Sequence, residues 1–485
     1  MTDPAASSRI EAHVWRIAFV VVIGSIMSLL DTTIVNVALD SLGKELHTTL
    51  AEIQWVITGY MLSLAAVIPI TGWAARRFGA KPIYLISLVL FTAGSALCGI
   101  ADSSTQLILF RVLQGIGGGM ILPIGQLMMA RAAGPKRMGR VMSIVAVPAM
   151  LAPVLGPTLG GLILDNASWR WIFYVNVPVG LIAFLASLRV LPSGGREPAG
   201  ALDFRGLALM ATGLPLLTYG LAEIGATGHF TGPKVVFPLV GSVVLLAVFV
   251  RHALRAKQPL LDLRLYRRGT FSSASVTMFC LGAALFGGMI LMPLYWQQIR
   301  LEDVVKTGLL TAPMGLGMAV VMPFAGRMAD RFGGGPLALF GVIVTTIATI
   351  PFGFIGSHTS ILWLSIAMSV RGMGVGFAFM PAMSAAFAAL RPSELADATP
   401  QLNVLQRVGG SIGTAVLAVV LQRALVGAHS PAAQASAYGT AFWWSTALTA
   451  LAIIPALILV RTERSARRGA AQPSPAGMVP AEAAA

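Results

Sequence analysis

The sequence predicts an all-α polytopic membrane protein with fourteen transmembrane helices, and three observations carry that prediction. Residues of the set AVILMFWYC make up 56% of the 485-residue chain, only 11% are charged, and the mean hydropathy is +0.80, whereas a soluble chain carries about 25% charged residues. The apolar residues gather into runs of about 20, the length a bilayer crossing requires. The cations fall almost entirely on one side of those runs. A disordered chain is excluded, since it needs low hydrophobicity and high charge. Fifty-two Gly and 28 Pro suit membrane helices, where both are commoner than in soluble ones. Two cysteines, Cys98 and Cys280, each inside an apolar run, exclude a secreted disulfide scaffold.

In chain order the runs cover 15–38, 52–72, 82–101, 106–130, 140–164, 171–190, 205–225, 234–251, 270–297, 308–328, 336–356, 360–386, 403–426 and 439–461. The first is too long for a signal peptide, holds Asp31 and lacks a small-residue cleavage site. An even count puts both termini on one side. On that basis 25 Lys and Arg share the side of the termini, and five (Lys44, Arg170, Lys234, Arg300 and Lys306) lie opposite. Four more, Arg111, Arg371, Arg407 and Arg423, fall within helices. The positive-inside rule then places both termini in the cytoplasm. It also accounts for the net charge of +15 without a nucleic-acid partner.

The chain repeats itself. Residues 72–82 read GWAARRFGAKP and 326–336 read GRMADRFGGGP, identical at six of eleven positions, each after an even-numbered helix and read as a short cytoplasmic loop. Arg111 and Arg371 form a weaker pair, each followed by glycines and a proline. The organisation expected is a cytoplasmic N-terminus 1–14, a six-helix half 15–190, a linker with two inserted helices 191–269, a second six-helix half 270–461, and a disordered cytoplasmic tail 462–485.

Few residues carry chemistry. Asp31 is the deepest acid, and an acid inside a membrane helix is a functional candidate by default. It would load and release a proton as its access alternates, helped by hydrogen bonds from Thr32, Thr33 or Asn36, or it would simply bond polar neighbours or an arginine. Arg111 stays protonated and would pair with a carboxylate in one state, or hold a structural ion pair, or snorkel to the interface. Glu223, near the outer end of the seventh helix, is a further proton-site candidate, or an acid that would attract a cationic substrate, or a wet interfacial acid. Asn36, Gln114 and Arg371 are candidates for a substrate cavity. Gly156, Pro157, Gly160 and Gly161 make a kinked, close-packing stretch of the fifth helix, a hinge or a seal. No phosphate loop GxxxxGK[ST] occurs, no metal-ligand spacing is present, and no segment is long enough for a catalytic domain. The reading is therefore a transporter rather than an enzyme, with no cofactor and no metal, driven by an ion gradient.

Several segments, in order and on the expected helices, resemble one family. They are LDTTIVNVAL in the first helix, GWAARRFGAKP after the second, RVLQGIGGGMILP in the fourth, APVLGPTLGG in the fifth, WRWIFYVNVP opening the sixth, and QRVGGSIGTAV at 406–416. Together they are similar to the fourteen-helix drug:proton antiporters of the major facilitator superfamily. The resemblance implies the major facilitator fold and proton-coupled efflux of drug-like, hydrophobic or cationic compounds across the cytoplasmic (inner) membrane, with protons and the lipid bilayer as the other partners. It also implies a proton-transfer role for Arg111 and a conformational role for Gly72, Arg77, Gly79, Asp330 and Arg331. It ties Gly156, Pro157, Gly160 and Gly161 to antiport. In a Gram-negative host a periplasmic adaptor is a further partner to expect. The alternative is an exporter or proton symporter of an endogenous metabolite or lipid. The chain departs from the family pattern at Arg76, where an acid is usual, and at Ala80, Asp40 and Ala152. The loop changes bear on the charge network that normally latches the cytoplasmic side.

Overall fold

The computed structural model describes residues 11–134, 137–193, 195 and 197–471. Lys136, Arg196, and the terminal stretches 1–10 and 472–485 lie outside the described residues, as do the side chains of Asp40, Pro157 and residues 144–154. Helices account for the architecture, and no strand occurs among the described residues.

The spanning segments are α1 (Ala12–Glu45), α2 (Trp55–Phe78), α3 (Ala80–Gly99), α4 (Ser104–Ala133), α5 (Met138–Asn166), α6 (Arg170–Val190), α7 (Phe204–Thr227), α8 (Pro233–Arg255), α9 (Gly269–Gln298), α10 (Val304–Phe332), α11 (Gly334–Phe354), α12 (Ile361–Ala388), α13 (Leu395–Leu425) and α14 (Pro431–Leu451 continuing as Ile453–Ala471). Thirteen are long and apolar enough to cross a membrane on their described residues. The other, α5, is a 29-residue helix at the position expected for the fifth span.

Three boundaries differ from the sequence reading. The stretch 72–82 is not a loop: α2 runs through Phe78 and α3 starts at Ala80, so only Gly79 turns the chain. Its counterpart in the second repeat does the same at Gly333. The two share one backbone conformation, φ 94° and ψ 147° against φ 103° and ψ 152°, a region open to glycine and strained for other residues. Helix α13 begins eight residues earlier than the expected 403, at Leu395, which makes Asp397 a helical residue. Helix α14 continues to Ala471, so the first part of the expected tail is helical.

Helices α1, α4, α5 and α6 pack together in the first bundle, and α9 packs on α12, α13 and α14 in the second. Helix α5 lies along α10 between the two. The inserted α7 and α8 pair with each other, and α7 also meets α2 and α13. Helix α8 exposes Val236, Phe237, Val240, Val243 and Val244. Such an apolar outer surface belongs against lipid. The inserted pair thus closes one flank, with α7 walling in the space between α2 and α13.

Candidate functional site

Asp31 sits in α1 at 1% exposure and meets Arg111 of α4, also 1% exposed. Arg111 Nη1 donates to Asp31 Oδ2 at 2.6 Å and to Gln114 Oε1 at 2.8 Å, and Nε donates to the Val56 carbonyl at 3.2 Å. Gln114 Nε2 donates to Asp31 Oδ1 at 2.9 Å, and Asn176 Nδ2 donates to the same oxygen at 3.1 Å and to Ser95 Oγ at 3.0 Å. The guanidinium carbon stands 4.1 Å from the centre of the Tyr60 ring. One acid and one base thus neutralise each other in a buried pocket, the carboxylate accepting from Arg111, Gln114 and Asn176. Removing either partner of such a pair costs about 3–5 kcal/mol, because the other is left buried and uncompensated.

The helpers are not those expected. Thr32, Thr33 and Asn36 donate to backbone carbonyls of α1 one turn back, at Ser28, Leu30 and Thr32. Asn36 is exposed. Asn176, within WRWIFYVNVP, takes their place because α6 packs directly on α1. Gln114 belongs to the ion-pair network rather than to a cavity wall. Helix α5 reaches the same place: a Cβ on Gly156 would stand 1.9 Å from Thr33 Oγ1, and one on Gly160 would stand 3.3 Å from the Ile34 carbonyl. Gly156 thus lets α5 lie against the segment of α1 that carries Asp31. Gly161 faces α10 instead, at Val305.

The repeated motif forms a second site at the end of the bundle that carries the basic loops. Asp330 is 7% exposed in its side chain; Oδ1 accepts from the Gly139 amide at 2.8 Å and Oδ2 from Arg140 Nε at 3.1 Å. In the other copy the polarity is reversed. Arg76, which occupies the position of Asp330 in the repeat, pairs with Asp397 of α13. The two copies of the motif thus each make a cross-bundle ion pair, with opposite polarity. Asn403 Nδ2 adds a bond to Gln126 Oε1 at 2.7 Å, from α13 to α4. A Cβ on Gly72 would stand 2.3 Å from the Ala396 carbonyl, so the bundles touch there. Arg77 and Arg331 take no part in this latch: both are exposed, and Arg331 lies 5.1 Å from the Phe332 ring centre.

Away from the latch a cavity of about 620 Å³ lies between α2, α7, α9 and α13. Its wall runs along α13 from Arg407 to Leu425, the end opposite the latch, and is mostly aliphatic. None of Asn36, Gln114 and Arg371 lines it. Arg371 is 2% exposed; its Nη2 donates to the Ala284 carbonyl at 3.4 Å, while Nε has no hydrogen-bond partner. It matches Arg111 in position but meets no acid among the described residues. Glu223 is half-buried, and its carboxylate meets no donor among the described residues. It also lies off the face of α7 that lines the cavity, which is formed by Thr218, Leu221, Ala222 and Gly225.

A bundle of apolar spanning helices, latched at one end, hollow towards the other and holding a buried ion pair in one bundle, is the build of a membrane transport protein. The chain belongs to the major facilitator superfamily, whose sequence model matches residues 21–414. It is similar to the multidrug resistance protein B homolog of Mycobacterium tuberculosis, 39% identical over 85% of this chain and 77% of that protein. The multidrug export protein EmrB of Haemophilus influenzae is 32% identical over 81% of this chain and 78% of its own length. The putative multidrug resistance protein MdtD of Escherichia coli is 30% identical over 97% and 98%. Among solved structures, the proton:xylose symporter XylE overlays with a TM-score of 0.63 at 14% identity, covering 92% of this chain and 95% of that one. The human organic anion transporter MFSD10 overlays at 0.62 and 18% identity, covering 91% and 99%. These two show the fold alone.

Proposed function

We propose that the protein is a proton-coupled efflux antiporter that exports hydrophobic, drug-like compounds across the cytoplasmic membrane by alternating access. The Asp31–Arg111 pair is the observation that carries this reading. It is buried, needs a protonatable carboxylate to be opened, and its acid stands on α1 two residues before Thr33, the residue Gly156 packs against in the stretch that the resemblance ties to antiport. Protonation of Asp31 from outside would discharge the pair and free Arg111; deprotonation towards the inside would restore it. The two bundles, 15–190 and 270–461, would rock about the space between them. The basic end, latched by Arg76–Asp397 and Arg140–Asp330, would face the cytoplasm under the positive-inside rule. The names of the relatives support efflux of drugs. A membrane potential supplies about 2.3 kcal/mol per charge per 100 mV, enough for one proton to hold on the order of a 40-fold substrate gradient.

The test uses purified protein in proteoliposomes with a pH-sensitive dye trapped inside. Adding a hydrophobic drug to vesicles under an imposed pH gradient should release protons against the drug flux. Asp31→Asn should abolish that release while the protein remains folded. Proton movement in the same direction as the drug would make it a symporter, and an Asp31→Asn variant that still responds to the pH gradient would remove Asp31 from the coupling.

A further inference from the structure

We propose that the cavity beside α7 takes amphiphilic anions, compounds with an apolar body and a carboxylate or sulfonate group, and that Arg407 is the residue that binds the charge. The proposal rests on the efflux reading for the direction of transport only; the binding chemistry is independent of it.

Arg407 is the only charged residue among those lining the cavity, and the rest of the wall is dominated by Met61, Phe286, Leu291, Leu294 and similar side chains. It has no hydrogen-bond or ion-pair partner among the described residues. A desolvated cation in a membrane protein is normally paired with an acid or a carbonyl. Helices α9 to α14 offer no acid for this. Their acids are Asp330, Asp397 and Glu463, all at the latched end and already committed to Arg140, Arg76 and Arg467. Arg371 of the same bundle likewise meets no acid among the described residues, but it reaches the Ala284 carbonyl and the Met314 sulfur, whereas Arg407 reaches neither an acid nor a carbonyl. The first bundle neutralises its own, with Asp31 against Arg111. Glu223, the one acid of α7, is turned off the cavity face.

The missing negative charge is therefore the ligand's to bring. Ser411 and Thr414 follow Arg407 at four and seven residues along α13 and also line the cavity. They form one stripe with it, ready to donate hydroxyls to the same anionic group. A cationic drug would meet like charge, which narrows the hydrophobic or cationic class inferred from sequence. The position also suits coupling. Met61 of α2 lines the same cavity, and its chain neighbour Tyr60 carries the Arg111 guanidinium over its ring at 4.1 Å. Helix α2 therefore touches both the cavity and the buried ion pair.

The experiment compares three radiolabelled probes with one aromatic body: a naphthyloxyacetate, its neutral amide, and a naphthyloxyethyl-trimethylammonium. Binding is measured on the full-length protein in phosphatidylcholine nanodiscs. The anion should bind about 10- to 100-fold tighter than the amide, the range of a hydrogen bond to a charged group, and the cation weakest. Arg407→Gln should erase the anion's advantage and leave amide binding, which also reports folding; Arg407→Lys should keep part of it. Equal affinity of the three probes for the wild type, which needs no variant, overturns the proposal. So does an anion preference that survives Arg407→Gln. If added phosphatidylglycerol competes the anion away, the site belongs to a lipid headgroup and the substrate assignment fails. Anion binding without anion export in proteoliposomes overturns the efflux reading alone; equal export of all three probes leaves that reading and sinks this one.

Discussion

Asp31 was visible in the sequence as a lone acid deep in an apolar run, and Arg111 as a lone base. Their pairing, 80 residues apart, was one of several alternatives that sequence left open. The second donor to Asp31 was not visible at all, because Asn176 lies 145 residues away and reaches it only through the packing of α6 on α1. Burial decides which polar residues matter here: Asn36 is nearer in the chain, yet it points outward and bonds its own helix. Outside the membrane, Asp203 shows a residue whose chemistry is set by its neighbours. It caps α7 through the Gly206 amide at 2.8 Å and also accepts from the His252 ring at 2.8 Å and the Leu260 amide at 3.1 Å. Partial burial pushes its carboxyl up, but these hydrogen bonds together outweigh it and hold the group below the usual carboxylate value of 3.8. A depressed folded-state value stabilises the fold at neutral pH, and that contribution is lost as pH falls through it. Asp203→Ala should cost about 1–2 kcal/mol at neutral pH, as for a lost helix cap. In thermal melts the gap between variant and wild type should close below about pH 4; a gap independent of pH would refute the assignment.

The helices stand close to where hydropathy put them. What hydropathy missed is how the elements end. An apolar-run reading stops at the first charged cluster, so Arg76, Arg77 and Asp330 marked loops, and Asp397 fell before its helix. Helical propensity carries α2, α10 and α13 through those charges, and a glycine in a positive-φ conformation ends α2 and α10. Because Arg76 and Asp397 both sit on helices, they face each other at fixed positions and form a latch. Their side chains are 16% and 20% exposed, so the pair should be worth less than the 3–5 kcal/mol of a fully buried one. Arg76→Asp should open the basic end. The accessibility of a cysteine placed at Gln126 to an impermeant maleimide should rise about tenfold for each 1.4 kcal/mol lost. The charge-swapped double variant, Arg76→Asp with Asp397→Arg, should return it to the wild-type rate. No change in the single variant would show that the latch contributes nothing to closure.

At the scale of the molecule, the uneven cations predict the orientation of the bundle, and the repeat runs through both halves. Cysteines at Lys257 and His358, in a background without Cys98 and Cys280, should label from opposite faces of sealed inverted vesicles, the first from the outside of the vesicle. Labelling of both from one face would break the fourteen-span topology. The repeat also sharpens the contrast between the bundles. The first pairs its buried arginine with an acid, whereas in the second neither Arg371 nor Arg407 meets an acid among the described residues, and only the second contributes a charge to the cavity wall.

Sequence by itself determined the membrane class, the number and order of the helices, the repeat and the family. Each of these depends on local properties: apolar length, charge placement and short motifs read along one segment. The tertiary structure decided which side chains meet. It placed Asn176 on Asp31, paired Arg76 with Asp397 across the bundles, and set Arg407 as the one charge in the cavity wall. Those outcomes depend on contacts between helices far apart in the chain, where exclusion of water makes a single unpaired charge costly and so gives it consequence.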